Sequence, residues 1–256
     1  MLSDQQEKGI EVNFWDSEAQ KEKYLSFEKN VYSAFRVKEY IEMIQKGLQD
    51  SGLAKNAKIL DIGCSAGVSS ITLAKMGYEV IGIDISSGLI EQARGLAVIE
   101  KSTAQFVVGD IAQTDYADAS FDVCFMVGLL HHFPNYQPIL EEIRRILKVG
   151  GLVVAVEPNL LSFSYRWSFK LVSMKSGTSP NEYPLSPLAV QQDLEKSFHD
   201  VKLIPFRETD VPFLRQLGAF GKSKAGQIIG NLITLIKNKY FAEIKKGTFF
   251  IVTCKK

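Results

Sequence analysis

Cysteine is scarce in this chain: three in 256 residues, Cys64, Cys124 and Cys254. None pair as C-x-x-C, and so sparse and odd a set offers no disulfide framework and fits a reducing cytoplasm. Each sits among apolar or small residues, which reads as a small buried side chain rather than a nucleophile. Cys64 stands apart because it lies in a glycine-rich turn. Histidine is equally rare, and only His131 and His132 are neighbours. A metal-ligating set of carboxylates around them is not evident. No run approaches the ~20 apolar residues needed to cross a bilayer. The polar start Met1–Lys8 lacks the apolar core of a signal peptide. Charge of one sign is missing too: 30 Lys and Arg face 29 Asp and Glu, net +1. Global charge therefore gives no reason to expect a polyanion partner. Internal repeats and low-complexity runs are absent. With 46% apolar and 23% charged residues, the composition is that of a globular protein. The length suits one α/β domain with a lid, or two small domains.

What is present is organised around Ile59–Ser70. The apolar run Lys58–Ile62 reads as a buried strand, and Ser70–Met76 as a helix stopped by Gly77. Between them lies a glycine-rich turn. Strand, turn and helix in this order place free N–H groups where a nucleotide-type ligand binds. The dinucleotide spacing G-x-G-x-x-G fails, with Ser65 at its third position and Val68 at its sixth. The pattern is instead Asp61-x-Gly63-x-Ser65-x-Gly67. A second strand, Tyr78–Asp84, ends in an acid, and an acid there can accept both hydroxyls of a ribose. Ser86 or Ser87 caps a helix running to about Lys101. A third strand, Ala104–Ile111, carries Asp110 at its end. Phe121–Val127 is a continuous apolar strand, as expected when both faces are covered. His131 and His132 follow it at the end where α/β folds bind ligands. The helix Tyr136–Leu147 has Ile139, Leu140, Ile143 and Ile146 on one face and Glu141, Glu142, Arg144 and Arg145 on the other. Leu152–Glu157 is the fifth strand, Leu188–Phe198 a helix opened by Pro187, Val201–Phe206 the sixth strand and Thr248–Cys254 the last. The alternation predicts an α/β fold: a mostly parallel sheet with helices on both faces.

These residues resemble the class I, Rossmann-like S-adenosylmethionine-dependent methyltransferases of small-molecule type. Asp61–Gly67 is similar to their glycine-rich motif E/D-x-G-x-G-x-G, with Ser65 at the middle glycine. The Leu-Lys-x-Gly-Gly string at Leu147–Gly151 is another shared feature. The likeness covers roughly residues 50–160 through motifs, and the remainder by topology. It implies a seven-stranded sheet whose last strand inserts antiparallel between strands five and six. It implies S-adenosyl-L-methionine as cofactor. The cofactor set would be Asp61, Gly63, Cys64, Ser65 and Gly67 in the loop, Asp84 and Ile85 at the ribose, Asp110 and Ile111 at the adenine, and Val127. For Asp84 and Asp110 the bland alternative is a cap or turn residue. The string Leu130-His131-His132-Phe133 is close to that of small-molecule enzymes. It is unlike the Asn/Asp-Pro-Pro-aromatic string of enzymes that methylate nucleic-acid amines, so no nucleic-acid partner is expected.

Methyl transfer from a sulfonium chiefly requires donor and acceptor held in line. A base is needed only if the acceptor must lose a proton, and His132 or His131 is the candidate. Adjacent residues do not both point into one site, so one of the pair reads as structural. The functional expectation is methylation of a small-molecule acceptor at O or N, sugar- or lipid-like acceptors included. The alternative is a non-catalytic scaffold or regulator that binds the adenosyl cofactor. Residues 1–50 form an expected helical lid and 51–256 the catalytic domain. Asn13–Gly52 reads as amphipathic helix, either lid or packed on the sheet edge, with Phe14, Trp15 and Tyr24 as pocket candidates. Segments 160–187 and 211–244 are expected to face substrate. The second carries an apolar stripe among lysines, read either as a peripheral membrane contact or as a helix packed on the sheet or a second subunit.

Overall fold

The computed structural model describes residues 4–19, 56–159, 185–206 and 249–256, together with Ser179, Glu182 and Lys224. Helix α1 spans Asp4–Ala19. Then come β1 (Lys58–Ile62), α2 (Val68–Lys75), β2 (Glu79–Asp84), α3 (Ser87–Ile99), β3 (Gln105–Val108) and β4 (Phe121–Val127). A single 3₁₀ turn, Leu130–His132, leads to α4 (Gln137–Ile146), β5 (Leu147–Pro158), α5 (Pro187–Glu195), β6 (His199–Phe206) and β7 (Phe249–Lys255).

The seven strands form one sheet in the order β3-β2-β1-β4-β5-β7-β6. β1 pairs in parallel with both β2 and β4, so it occupies the middle of the parallel half. β7 runs antiparallel to β5 and to β6, inserted between them, as the family resemblance implies. The order reverses at β1, and an α/β sheet opens its ligand crevice beyond the strand C-termini at such a point. Both sheet faces are covered. Leu60, Ile62, Cys124 and Met126 pack into one cluster, whereas Ile59, Val123 and Phe125 pack into another. That alternation follows from the two-residue period of a strand, and it explains why β1 and β4 read as unbroken apolar runs.

Several boundaries differ from the sequence reading, each for a local reason. β3 stops at Val108. Asp110 therefore lies beyond the strand, where its Oδ1 accepts the N–H of Ala112 across a short turn. β5 begins at Leu147 rather than Leu152. Gly150 takes φ 77° and donates its N–H to the Lys256 carbonyl, so the residues expected to close the helix extend the strand instead. α3 opens on Ser86, whose hydroxyl accepts the Leu89 N–H as a cap should. On α4, Arg145 pairs with Glu142 and Asp118 and donates to the carbonyls of Thr114 and Tyr116, which ties the 114–118 loop to the helix.

The largest departure is α1, which begins at Asp4 where a helix was expected only from Asn13. Its buried face includes the carboxylates Glu11 and Glu18. A search for an apolar stripe does not find a helix whose inner face is polar. The apolar positions Tyr24–Leu48, most of 160–187 and nearly all of 211–244 lie outside the described residues.

Candidate functional site

The site is built at the C-terminal ends of β1, β2 and β4. β1 ends at Ile62 and the chain turns at Gly63 (φ 68°). The N–H groups of Gly63 and Cys64 both donate to the Ile83 carbonyl on β2, at 2.8 and 3.1 Å. The loop is thus bolted to the neighbouring strand. Gly67 (φ 79°) precedes α2, and a Cβ there would lie 2.6 Å from the Phe106 ring. Only glycine meets both the backbone and the packing demand. Ser65 also takes a left-handed conformation, φ 50°. Its N–H donates to Asp84 Oδ2 at 2.9 Å, while the Ser86 N–H donates to Oδ1 at 2.9 Å. Burial pushes the Asp84 pKa up against those two bonds, and the Asp16 carboxylate adds to the rise. Ile85 beside it is half-buried, and Ile111 is buried in the larger core cluster.

Asp61 does not open onto the crevice. It is 2% exposed, its Oδ2 accepts the Ser70 hydroxyl at 2.6 Å, and burial pushes its pKa up to about 7. That bond holds the strand end to the first turn of α2. Cys64 is buried, with its thiol pKa raised by burial and by the two aspartates nearby. A raised thiol is not a nucleophile.

The second half of the site centres on Glu157, at the end of β5 and fully buried. Its Oε1 accepts the N–H groups of Leu129 and Leu130 at 2.9 and 2.8 Å, and its Oε2 lies 2.8 Å from His131 Nδ1. One carboxylate thus fixes the entire 3₁₀ turn. Burial works against a charge on His131, but the hydrogen bond and charge of Glu157 outweigh it and raise its pKa. His132 moves the other way. Burial, then the proximity of His131, lower it to about 3. The two rings lie 4.2 Å apart. The two adjacent rings are thus driven apart, His131 toward the charged form and His132 toward the neutral one.

Helix α1 lies across both halves. Lys8 Nζ pairs with Asp110 Oδ2 at 2.7 Å. Asp16 Oδ1 accepts the Ser86 hydroxyl at 2.6 Å and the Gly88 N–H at 2.9 Å. Gly88 allows this approach, since a Cβ there would lie 3.1 Å from that of Ala19. Glu11 takes the Trp15 indole N–H on Oε2 at 2.8 Å and the Ser179 hydroxyl on Oε1. The Trp15 ring meets His132 edge-on at 5.7 Å, with Phe14 edge-on to Trp15 at 5.0 Å. Tyr24, the third aromatic candidate, lies outside the described residues.

Sequence reasoning thus named the loop, the acids and the histidine pair. It passed over Glu157, Glu11, Lys8, Asp16 and Ser179. Glu157 did carry a signal: a lone acid closing an apolar strand is a buried charge that must find partners. The residues of α1 carried none.

Residues 60–155 match the family model described as a methyltransferase domain. The chain is 36% identical over 118 residues to a 2-methyl-6-phytyl-1,4-hydroquinone methyltransferase of Synechocystis sp., spanning 46% of this chain and 36% of that protein. It is 34% identical over 133 residues to a demethylmenaquinone methyltransferase of Staphylococcus aureus, spanning 49% of this chain and 55% of that protein. The alignments therefore take in about a third to a half of those relatives' length. Among solved structures, a SAM-dependent methyltransferase from Archaeoglobus fulgidus superposes with a TM-score of 0.58 at 21% identity, over 84% of this chain and 94% of that one. The likeness is one of fold.

Proposed function

We propose that the chain is an S-adenosylmethionine-dependent methyltransferase acting on a small-molecule acceptor through an oxygen or nitrogen nucleophile. The observation that carries this is Asp84. It closes β2 beside the glycine loop, and backbone N–H groups from both sides hold it. Each of its oxygens keeps a second lone pair, which suits a diol that donates two hydrogen bonds. The residues fit the cofactor on that chemistry. Asp84 would hold the ribose hydroxyls, and Asp110 would hold the adenine amine, sharing its carboxylate with Lys8. Ile85, Ile111 and Val127 would pack the rings, with Gly63, Cys64, Ser65 and Gly67 giving backbone approach and Asp61 supporting the loop from beneath. When bound, the cofactor supplies an electrophilic methyl group on a sulfonium.

The chain's own part is to orient the acceptor and manage its proton. His132 is the base in this reading: burial keeps it neutral at rest, and a neighbouring carboxylate has to offset that burial for it to hold a proton at neutral pH. His131, held by Glu157, is its structural neighbour. The hydroquinone and menaquinone names of the relatives support an acceptor that carries ring oxygens. Helix α1 belongs to the lid over the site, within residues 1–50, and the catalytic domain follows from 51. No nucleic-acid partner is expected. Among the described residues, no helix is long and apolar enough to cross a membrane. Three free buried cysteines support a cytoplasmic location.

Titration calorimetry with S-adenosylmethionine and S-adenosylhomocysteine tests the proposal. Wild type should bind both, and Asp84→Ala should lose at least about tenfold in affinity while keeping its circular dichroism. Well-folded wild type that binds neither ligand would move the weight to a scaffold role.

A further inference from the structure

Glu11 lies far in sequence from every motif of the domain, yet it is 8% exposed and sits beside the ring taken here as the base. Its Oε2 is 3.4 Å from His132 Nδ1. The contact is within ion-pair range, but Nδ1 is buried and makes no hydrogen bond. The side chain of His132 is 12% exposed, and with Nδ1 buried that exposure lies elsewhere on the side chain. With the ring neutral, one nitrogen carries a proton and the other a lone pair. A lone pair on Nδ1 would face a carboxylate oxygen in a dry setting, two electron-rich atoms with nothing between them. A proton on Nδ1 turns the same contact into an attraction. The carboxylate is itself held still, by the Trp15 indole N–H on one oxygen and the Ser179 hydroxyl on the other. Carboxylates beside histidines select tautomers in this manner.

We propose that Glu11 is a positioning residue for His132: it keeps the proton on Nδ1 and so leaves the lone pair at Nε2, ready for the proton of a hydroxyl acceptor. The proposal rests on the methyltransferase reading for that last clause alone. The proton moves from the acceptor oxygen to Nε2, and the Glu11 carboxylate balances the imidazolium so formed. The contact at 3.4 Å is close enough for a hydrogen bond but not aligned as one, and catalytic hydrogen bonds commonly come into line when a site fills. Helix α1 is then a working wall of the site. Lys8, Glu11 and Trp15 share one helical face at i, i+3 and i+7, and Asp16 clamps that face to the start of α3.

The experiment is a long-range proton–nitrogen correlation spectrum of the full chain labelled with ¹⁵N-histidine, recorded at neutral pH without ligand. Three histidines make assignment tractable. His132 should appear as the Nδ1–H tautomer in wild type. In Glu11→Gln, where the amide can donate to Nδ1, the tautomer ratio should shift by roughly tenfold toward Nε2–H, the effect of losing a charged acceptor. A wild-type His132 in the Nε2–H form overturns the proposal without any variant. So does a His132 spectrum that Glu11→Gln leaves unchanged. Neither result depends on cofactor binding, so failure here is separable from failure of the calorimetry.

Discussion

The two halves of the site are held by different kinds of bond. Around Asp84, the partners are backbone N–H groups from residues 65 and 86, and the loop N–H groups of Gly63 and Cys64 close on Ile83. All lie within one strand–turn–helix–strand stretch. Around His131 and His132, the partners are side chains brought from β5, α1 and the segment at Ser179. The first half is fixed as soon as β1 and β2 pair. The second exists only when elements more than a hundred residues apart have come together. The local half depends on one carboxylate held by backbone donors, whereas the assembled half depends on each of several buried polar groups.

The sharpest way to break this contrast is Glu157→Ala. The substitution leaves two buried N–H groups and a histidine without their common acceptor. Removing one partner of a buried charged network costs about 3–5 kcal/mol. Urea unfolding should show that loss, with S-adenosylhomocysteine affinity kept in whatever protein remains folded, because the Asp84 half is untouched. Equal loss of cofactor affinity would mean that the halves are not separable.

A second test uses pH, because each half holds a group displaced far from its ordinary pKa. Asp61 rises from 3.8 to about 7. The unfolded chain releases that proton near pH 4 while the folded chain keeps it, so its stability contribution is full below pH 4 and fades toward pH 7. His132 falls from 6.5 to about 3. The unfolded chain takes up a proton below pH 6.5 that the folded chain refuses, so its contribution is full above 6.5 and is lost as pH drops. Between pH 4.5 and 6.5 the two slopes oppose, each approaching ~1.4 kcal/mol per pH unit. Asp61→Asn should therefore gain stability with rising pH in that window, and His132→Gln should lose it, about 2–3 kcal/mol in each case. Parallel profiles for the two variants would refute the assignment.

The same contrast explains what the sequence could and could not reveal. Whereas the place of β7 in the sheet came from the family resemblance, strands β1, β4 and β7 and a cap at Ser86 or Ser87 were legible, because buried strands and helix starts write themselves in neighbouring residues. The positions Asp84 and Gly67 were legible for that reason too. Asp110 was half legible: the residue was found, but the strand ends at Val108 and its carboxylate is shared with Lys8. Helix α1 was not, because its inward face carries Lys8, Glu11 and Glu18 where apolar residues were sought. No local pattern says that Glu11 will meet His132 across 121 positions of chain. Only the folded sheet brings them together.

A smaller effect comes from the clamp between α1 and α3. Asp16→Ala removes two hydrogen bonds, to the Ser86 hydroxyl and the Gly88 N–H. This should weaken the docking of α1 by about 1–2 kcal/mol. Hydrogen exchange should speed up in residues 4–19 while β1 and β4 keep their protection, since that core does not use α1. Faster exchange throughout the sheet would show that α1 is part of the global folding unit, and the separation of the two halves would have to be redrawn.

The smallest effect probes the local half at its one irregular residue. Ser65 sits at φ 50°, a region that costs a side chain about 1 kcal/mol and glycine almost nothing. Its one described bond into the site is made by its backbone N–H, to Asp84. Ser65→Gly keeps that bond and removes the strain, although the more flexible unfolded chain gives part of the gain back. The net expectation is a gain of about 0.5 kcal/mol in thermal unfolding, with unchanged affinity for S-adenosylhomocysteine. A loss of stability would mean that the Ser65 hydroxyl is holding the loop, and the local half would then rest on a further side chain beside Asp84.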